Sequence, residues 1–387
     1  MKPLSCLSMP SHAVQQLLRE WPPGYGGIER VAHELAEVWG GTVWSLDAQC
    51  RSKTEQDVFP VRYERRRLPC TPAVGRFVLP LPSLTLWHLL VSRQPLHGHL
   101  PSPGVLLLLV MARLFRPRRR VTAHWHFFFE PTERLSQKLF SFYQRFALMV
   151  VAQLSGVVTT SPILRQELVR SGCRPDRVFV LPCCLSVAQE HAGLAMPRLP
   201  VSAEPDQPLR VLFIGRLGSY KRLDWLMQSL NQLTTPWLLD VVGDGPARAH
   251  FERVAFDLLG RRYRENVRFL GRLSESDKEK CLELSDLLVL PSDSSNEAFG
   301  IVQLEAMAAG IPALAFQRRR SGMGWVCQLP GLSWSQTPDA LAAVLQRLAI
   351  NPSLRSCLGN QARQRYRSHF ARSVWLQTLS GIDAEGF

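Results

Sequence analysis

The chain of 387 residues, 46% hydrophobic and 20% charged, is long enough for two domains with separate cores, and its composition excludes a disordered or fibrous protein. Its net charge of +14 is uneven: residues 1–200 carry 24 Lys+Arg against 13 Asp+Glu, the remainder 22 against 19. Runs at Arg65–Arg67 and Arg116–Arg120 suit an anionic partner such as lipid headgroups or a phosphorylated acceptor, and no recognition motif accompanies them to argue for nucleic acid. Nine scattered cysteines without a C-x-x-C pair point to a reducing cytoplasm rather than a disulfide framework. The densest apolar run, Val105 to Met111, is far shorter than the roughly 20 residues a bilayer span needs, and no signal-peptide layout follows Met1.

In chain order, the first half predicts a helix over 26–39, a strand over 42–46, a helix over 103–115, a strand over 121–126 and a long helix over 133–154. A strand over 157–160 follows, then Ser161-Pro162 as N-cap and first-turn proline. Residues 51–95 give no clear pattern, and 187–208, rich in Ala, Pro and polar residues, reads as a linker. Beyond it strands over 210–215, 238–243, 267–270 and 287–291 alternate with helices over 224–233, 246–259, 274–284 and 300–309. That rhythm predicts α/β architecture: doubly wound parallel sheets that bind ligands at the strands' carboxyl ends. The expected domains are 1–195, a linker at 196–208, 209–368, and a C-terminal helix over 369–387 packing back on the first domain.

The most specific segment is Ser295-Asn296-Glu297-Ala298-Phe299-Gly300-Ile301-Val302-Gln303-Leu304-Glu305-Ala306-Met307-Ala308-Ala309-Gly310-Ile311-Pro312. It sets two glutamates eight residues apart across a loop-to-helix junction, with the amides of Phe299, Gly300 and Ile301 expected as unpaired donors at a helix start. Such a glutamate pair alone recurs by chance; the whole string does not. It closely resembles the E-x7-E signature of family 4 retaining glycosyltransferases of the GT-B fold. Ile214-Gly215-Arg216 with Lys221 resembles that family's diphosphate-binding element. Val242-Gly243-Asp244-Gly245-Pro246 resembles its GDGP turn, Phe269-Leu270-Gly271 the strand end beside the nucleotide base, and Tyr25-Gly26-Gly27-Ile28-Glu29-Arg30 its glycine loop.

The resemblance implies two Rossmann-like domains facing a central cleft, the first for acceptor and the second for nucleotide-sugar. Arg216 and Lys221 would neutralise the departing diphosphate, Glu305 would hold the ribose hydroxyls, and Glu297 would meet the donor sugar near its reacting carbon. Gly243 and Leu270 would line the donor site, and Gly26 and Gly27 would let backbone approach the diphosphate or acceptor. A histidine closing an N-domain strand is expected near the reaction centre; His126 is the best match and His124 the second. His97-x-His99-x-Pro101, His124-Trp125-His126-Phe127-Phe128-Phe129 and Ser321-Gly322-Met323-Gly324-Trp325 are similar to segments of bacterial mannosyl- and rhamnosyltransferases of surface-polysaccharide synthesis. His99 and His124 are therefore acceptor-side candidates, and the three phenylalanines are either core or acceptor groove. Two H-x-H pairs on neighbouring strands could hold a metal, but none is expected, and no cofactor. Gly243-x-Gly245 followed by Arg248 is not a dinucleotide fingerprint.

The expected activity is transfer of a hexose from a nucleotide-diphosphate sugar, GDP-mannose or GDP-rhamnose, to a glycan or lipid-linked acceptor, by a cytoplasmic enzyme peripheral at an anionic membrane face. The alternatives are another GT-B chemistry, a phosphorylase or epimerase, and a catalytically silent subunit. Two departures from the family pattern stand out. Pro182-Cys183-Cys184-Leu185 replaces a common Pro-Asn-Gly-Val and puts the hinge in question. Arg318-Arg319-Arg320 precede the Ser321 turn, which leaves sugar selectivity open.

Overall fold

A computed structural model describes residues 13–23, 26–50, 61–73, 75, 77–130, 134–197 and 207–384. The chain divides into two units, one running through Pro182 and resuming at Gln377, the other Cys183–Leu376.

In the first unit, in chain order, lie β1 (Gln15–Leu18), α1 (Gly27–Trp39), β2 (Thr42–Ser45), β3 (Glu64–Arg67), α2 (Leu84–Val91), β4 (Leu96–Leu100) and α3 (Pro103–Phe115). They continue with β5 (Val121–Trp125), α4 (Arg134–Val151), β6 (Gly156–Thr159), α5 (Pro162–Arg170) and β7 (Val178–Val180). All seven strands are parallel, in the order β3-β2-β1-β4-β5-β6-β7. The direction of winding reverses between β1 and β4, which places this sheet's switch point there.

The strands that sequence reading left unassigned are polar where a buried strand is usually apolar. Gln15, Gln16, His97 and His99 are all buried, so β1 and β4 offer no apolar run. Their polar groups pair internally: Gln16 Oε1 with His99 Nε2 at 2.9 Å, and Gln15 Oε1 accepts from Arg119 Nη2 at 2.7 Å. β3 is a half-exposed edge strand whose arginines pave the sheet's end. Arg66 lies over the Trp44 ring and donates to Glu64, Arg67 sits 3.4 Å from Asp47, and Arg65 lies over Trp21. This first basic run is therefore largely committed within the unit.

The second unit contains α6 (Val187–Ala195), β8 (Leu209–Ile214), α7 (Leu223–Asn231), β9 (Trp237–Val242), α8 (Arg248–Leu259), α9 (Tyr263–Asn266), β10 (Val267–Gly271) and α10 (Glu275–Glu283). Then come β11 (Leu287–Leu290), α11 (Val302–Ala308), β12 (Ala313–Ala315), α12 (Met323–Val326), α13 (Leu341–Ala349) and α14 (Pro352–His369). Its parallel sheet has the order β10-β9-β8-β11-β12, with the switch between β8 and β11. The core is Leu212, Ile214, Leu288, Leu290, Ala306 and Ile311 with their neighbours. A final helix, α15 (Arg372–Ala384), begins in this unit and ends in the first, where Trp39 Nε1 donates to Asp383 Oδ2 at 3.2 Å.

The expected linker is corrected in its first part. Residues 187–195 form α6, closed at its start by a reciprocal Ser186–Gln189 capping box. Tyr366 of α14 donates to Glu190 Oε1 at 3.0 Å, and the bare backbone of Gly193 lies against Ala308 of α11. A glycine contact supplies no periodic apolar signal, which is why this helix was unreadable. The first unit accordingly ends at Pro182, ahead of the expected residue 195. Residues 198–206 of the expected linker lie outside the described residues.

Candidate active site

The motif residues of the second unit gather at the carboxyl ends of its strands. β8 leads into Gly215 and Arg216, β9 into Gly243, β10 ends at Gly271, and β11 leads into the loop carrying Glu297. Two of these loops flank the switch between β8 and β11, and there Lys221 forms an ion pair with Glu297. The ammonium is only 7% exposed and the carboxylate 18%. Burial works against the charge of Lys221, but Glu297 and Tyr220 outweigh it and hold the ammonium above its ordinary pKa. Arg216, on the same loop, is exposed. The sequence thus places two cations together, one locked by a carboxylate and one facing solvent.

The GDGP turn braces this loop backbone to backbone. Leu217 N donates to Asp244 O and Ala247 N to Leu217 O, both at 3.0 Å, while Gly243 N donates to Gly271 O at 2.7 Å. Gly243 has φ +129°, and a Cβ there would collide with the carbonyl oxygen of Gly215. Gly243→Ala is expected to cost about 3 kcal/mol or more, since it adds a backbone clash to an unfavourable dihedral. Gly260→Ala, also at positive φ (+54°) but in open space, should cost only about 1 kcal/mol. Urea unfolding of both variants measures the difference.

The E-x7-E segment departs from the expected helix over 300–309. Gly300 takes φ +72°, which cannot continue a right-handed helix, so α11 starts at Val302 with Ile301 as its cap. A side chain at Gly300 would also strike Leu290. The helix-start donors expected at Phe299 to Ile301 therefore move toward the first turn of α11, and the Phe299 carbonyl accepts from Gln303 Nε2 at 2.7 Å. Glu305 is 5% exposed and meets Lys278 of α10 at 2.9 Å. Lys278 also contacts Glu275 at 2.8 Å. Leu270 is half-buried against the core.

Sequence reading missed Lys278, whose only local signal is a Glu275–Lys278 pair three residues apart on a helix. It placed Ser321 in a family-like turn but gave it no role; its hydroxyl donates to the Glu297 carbonyl at 2.6 Å and ties the Ser321–Trp325 turn to the glutamate loop. Arg365 secures the far side of that turn by donating to Trp325 O at 2.7 Å and Val326 O at 3.0 Å. Of the three preceding arginines, Arg318 lies over the rings of Trp225 and Phe316.

In the first unit, Gly26 caps α1 and Gly27 opens it, just beyond the end of β1; Tyr25 of the glycine loop lies outside the described residues. His97 and His99 on β4, His124 on β5 and His126 just after it form one buried cluster. His124 and His126 are stacked with centroids 4.2 Å apart, and His99 Nδ1 meets His126 Nε2 at 2.9 Å. His97 Nδ1 meets Thr122 Oγ1 at 2.9 Å. Burial, then their neighbouring imidazoles, keep His97, His99 and His126 neutral well below the usual histidine range, and burial brings His124 down to about 3. His97, His99 and His124 each bring a ring nitrogen within 4.8 Å of the others, but both nitrogens of His99 are already engaged, by His126 and Gln16. The phenylalanine run resolves toward core: Phe128 and Phe129 are buried, and Phe129 N donates to Gln144 Oε1 at 2.6 Å.

Comparison with known proteins gives this geometry a context. Residues 199–365 match the glycosyl transferases group 1 family, and residues 25–189 match Glycosyltransferase Family 4. The chain is 27% identical over 356 residues to the D-rhamnosyltransferase WbpZ of Pseudomonas aeruginosa, covering 89% of this chain and 88% of that protein. It is 25% identical over 364 residues to the O-antigen chain mannosyltransferase C of Escherichia coli, covering 90% and 92%. Among solved structures, Anabaena Alr3699/HepE in complex with UDP and glucose superposes with a TM-score of 0.69 at 17% identity, over 96% of this chain and all of that one. The lipopolysaccharide outer core galactosyltransferase WaaB superposes with a TM-score of 0.66 at 16% identity, over 97% of this chain and all of that one.

Proposed function

The chain is a family 4 glycosyltransferase of the GT-B fold, and from that premise we propose that it transfers a hexose with retention from a nucleotide-diphosphate sugar in surface-polysaccharide synthesis. The donor is GDP-mannose or GDP-rhamnose and the acceptor a glycan or lipid-linked saccharide, as favoured by the rhamnosyl- and mannosyl-transferring relatives. The observation that carries this reading is the Lys221–Glu297 pair at the β8/β11 switch point, with Arg216 exposed on the same loop. As the glycosidic bond breaks, negative charge grows on the leaving diphosphate. Lys221, held by Glu297, and Arg216, exposed on the same loop, stabilise it without a metal ion. Glu297, oriented by Lys221 and by the Ser321 contact to its carbonyl, accepts hydrogen bonds from donor hydroxyls. Glu305 accepts from the ribose once Lys278 gives way. His126, held neutral by burial, can donate or accept a hydrogen bond without carrying charge. Among the residues singled out no first-unit carboxylate serves as nucleophile, so retention proceeds by same-face attack assisted by the departing phosphate. An inverted anomeric centre in the product would exclude that course.

The test is a thermal-shift and slow-hydrolysis panel of GDP-, UDP-, ADP- and dTDP-sugars, with Glu305→Ala alongside. One nucleotide class should stabilise the protein, and the variant should lose that response. A folded protein that answers to no donor is a silent subunit. Turnover that needs free phosphate, or none that needs an acceptor, identifies a phosphorylase or an epimerase.

A further inference from the structure

We propose that the outer face of α2, α3 and α4 is a docking surface for an anionic lipid bilayer. Eleven of the fifteen large hydrophobic residues exposed among the described residues lie between Leu79 and Met149; the other four are scattered through the second unit. Right-handed crossovers from β3 to β4, β4 to β5 and β5 to β6 put α2, α3 and α4 on the same side of the sheet. Two contacts agree. A Cβ at Gly98 would meet Leu109 of α3, whereas His97, on the opposite pleat, packs edge-on against Trp39 of α1 at 5.2 Å.

The clearest element is α4. Its inward face buries Tyr143, Gln144, Ala147, Leu148 and Val151, yet Leu139, Phe142, Phe146 and Met149 form a second apolar stripe on the solvent side. Phe142 is 72% exposed and Met149 64%. Among the described residues nothing covers that stripe, and an apolar face left in water marks an interaction surface. At the end of α3, Leu114 and Phe115 are exposed beside Arg113, Arg116 and Arg118, and Phe115 packs edge-on against Trp87 of α2 at 5.8 Å. Arg119 turns inward instead, donating to Leu89 O at 2.6 Å and Gln94 O at 2.8 Å, which anchors the loop from which Arg116 and Arg118 project.

Charge identifies the occupant. From Arg65 through Gln166 the sequence holds 14 Lys+Arg and only two acidic residues, Glu130 and Glu133. On α4 the apolar stripe is flanked by exposed Lys138 and Arg145. Apolar side chains at interfacial depth, rimmed by arginine and lysine, fit the boundary between anionic headgroups and acyl chains. No helix among the described residues is long and apolar enough to cross a membrane, so the surface rests on the bilayer. The inference deepens the reading of a lipid-linked acceptor, but vesicle binding needs neither donor nor transfer.

The test is co-flotation of the full chain with vesicles of phosphatidylcholine alone or mixed with phosphatidylglycerol. Binding should require the anionic lipid and weaken with salt. Phe142→Ser/Met149→Ser and Arg116→Ser/Arg118→Ser should each reduce it at least about tenfold, with circular dichroism and donor-induced thermal shift unchanged. Wild-type protein that ignores anionic vesicles overturns the proposal, and so does binding indifferent to both double variants. A wild-type dimer that Phe142→Ser/Met149→Ser converts to monomer also overturns it, by assigning the face to a second copy of the chain. Failure of the donor panel with intact vesicle binding would instead discredit only the transferase reading.

Discussion

Lys221→Ala should lower transfer about a hundredfold to a thousandfold, the range for removing one preorganised charge from a developing anion. It should also cost about 3 kcal/mol of stability. Glu297, only 18% exposed, would lose the cation that offsets its desolvation. The two effects separate in Lys221→Ala/Glu297→Gln. Neutralising the carboxylate should restore most of the stability while transfer stays lost. Urea denaturation and initial rates at saturating donor measure both. Near-normal rates in a folded Lys221→Ala protein would sink the diphosphate role and leave the pair a structural ion bridge. The raised pKa of Lys221 means that this stabilisation is complete below the ordinary lysine value of 10.5 and fades as pH rises through the folded value.

Acidification is the second large effect, and it should strike the first unit. His97, His99, His124 and His126 are buried and neutral, with pKa values depressed in the folded state. In the unfolded chain each takes up a proton near pH 6.5. Their contribution is therefore fully present above that pH and is lost as pH falls toward the folded values, about 3 for His124. Each histidine costs about 1.4 kcal/mol per pH unit across that window. By pH 5 the loss at His124 alone is about 2 kcal/mol, and the other three histidines act in the same direction. Unfolding followed by tryptophan fluorescence should begin between about pH 6 and 5. Neither ring nitrogen of His124 has a hydrogen-bond partner among the described residues, so His124→Phe removes a titrating group without orphaning another. It should move the acid midpoint downward. An unchanged midpoint would show that other groups govern acid unfolding.

The legibility of this chain follows where its physics is local. Val211 to Ile214 and Leu287 to Leu290 are buried apolar strands, and an apolar run bounded by turn residues announces itself. β1 and β4 were illegible because Gln15, Gln16, His97 and His99 find their partners on other strands and on the loop carrying Arg119. α6 was illegible because its main contact is the absence of a side chain at Gly193. The start of α11 was misplaced by two residues, since composition does not reveal that Gly300 adopts a left-handed dihedral.

The sequence by itself determined the alternating α/β plan, the spacing of Glu297 and Glu305, and the placing of Arg216 and Lys221 on one loop after β8, because each depends on residues near in the chain. Only the tertiary structure decided that Lys221 is held by Glu297 and Glu305 by Lys278, partners 76 and 27 positions apart. It alone divided the second arginine run into an inward Arg119 and outward Arg116 and Arg118, and it alone left the apolar stripe of α4 in water. The physical reason is the same in each case: burial and pairing depend on what packs against a residue, and a parallel sheet brings together segments that the chain keeps far apart.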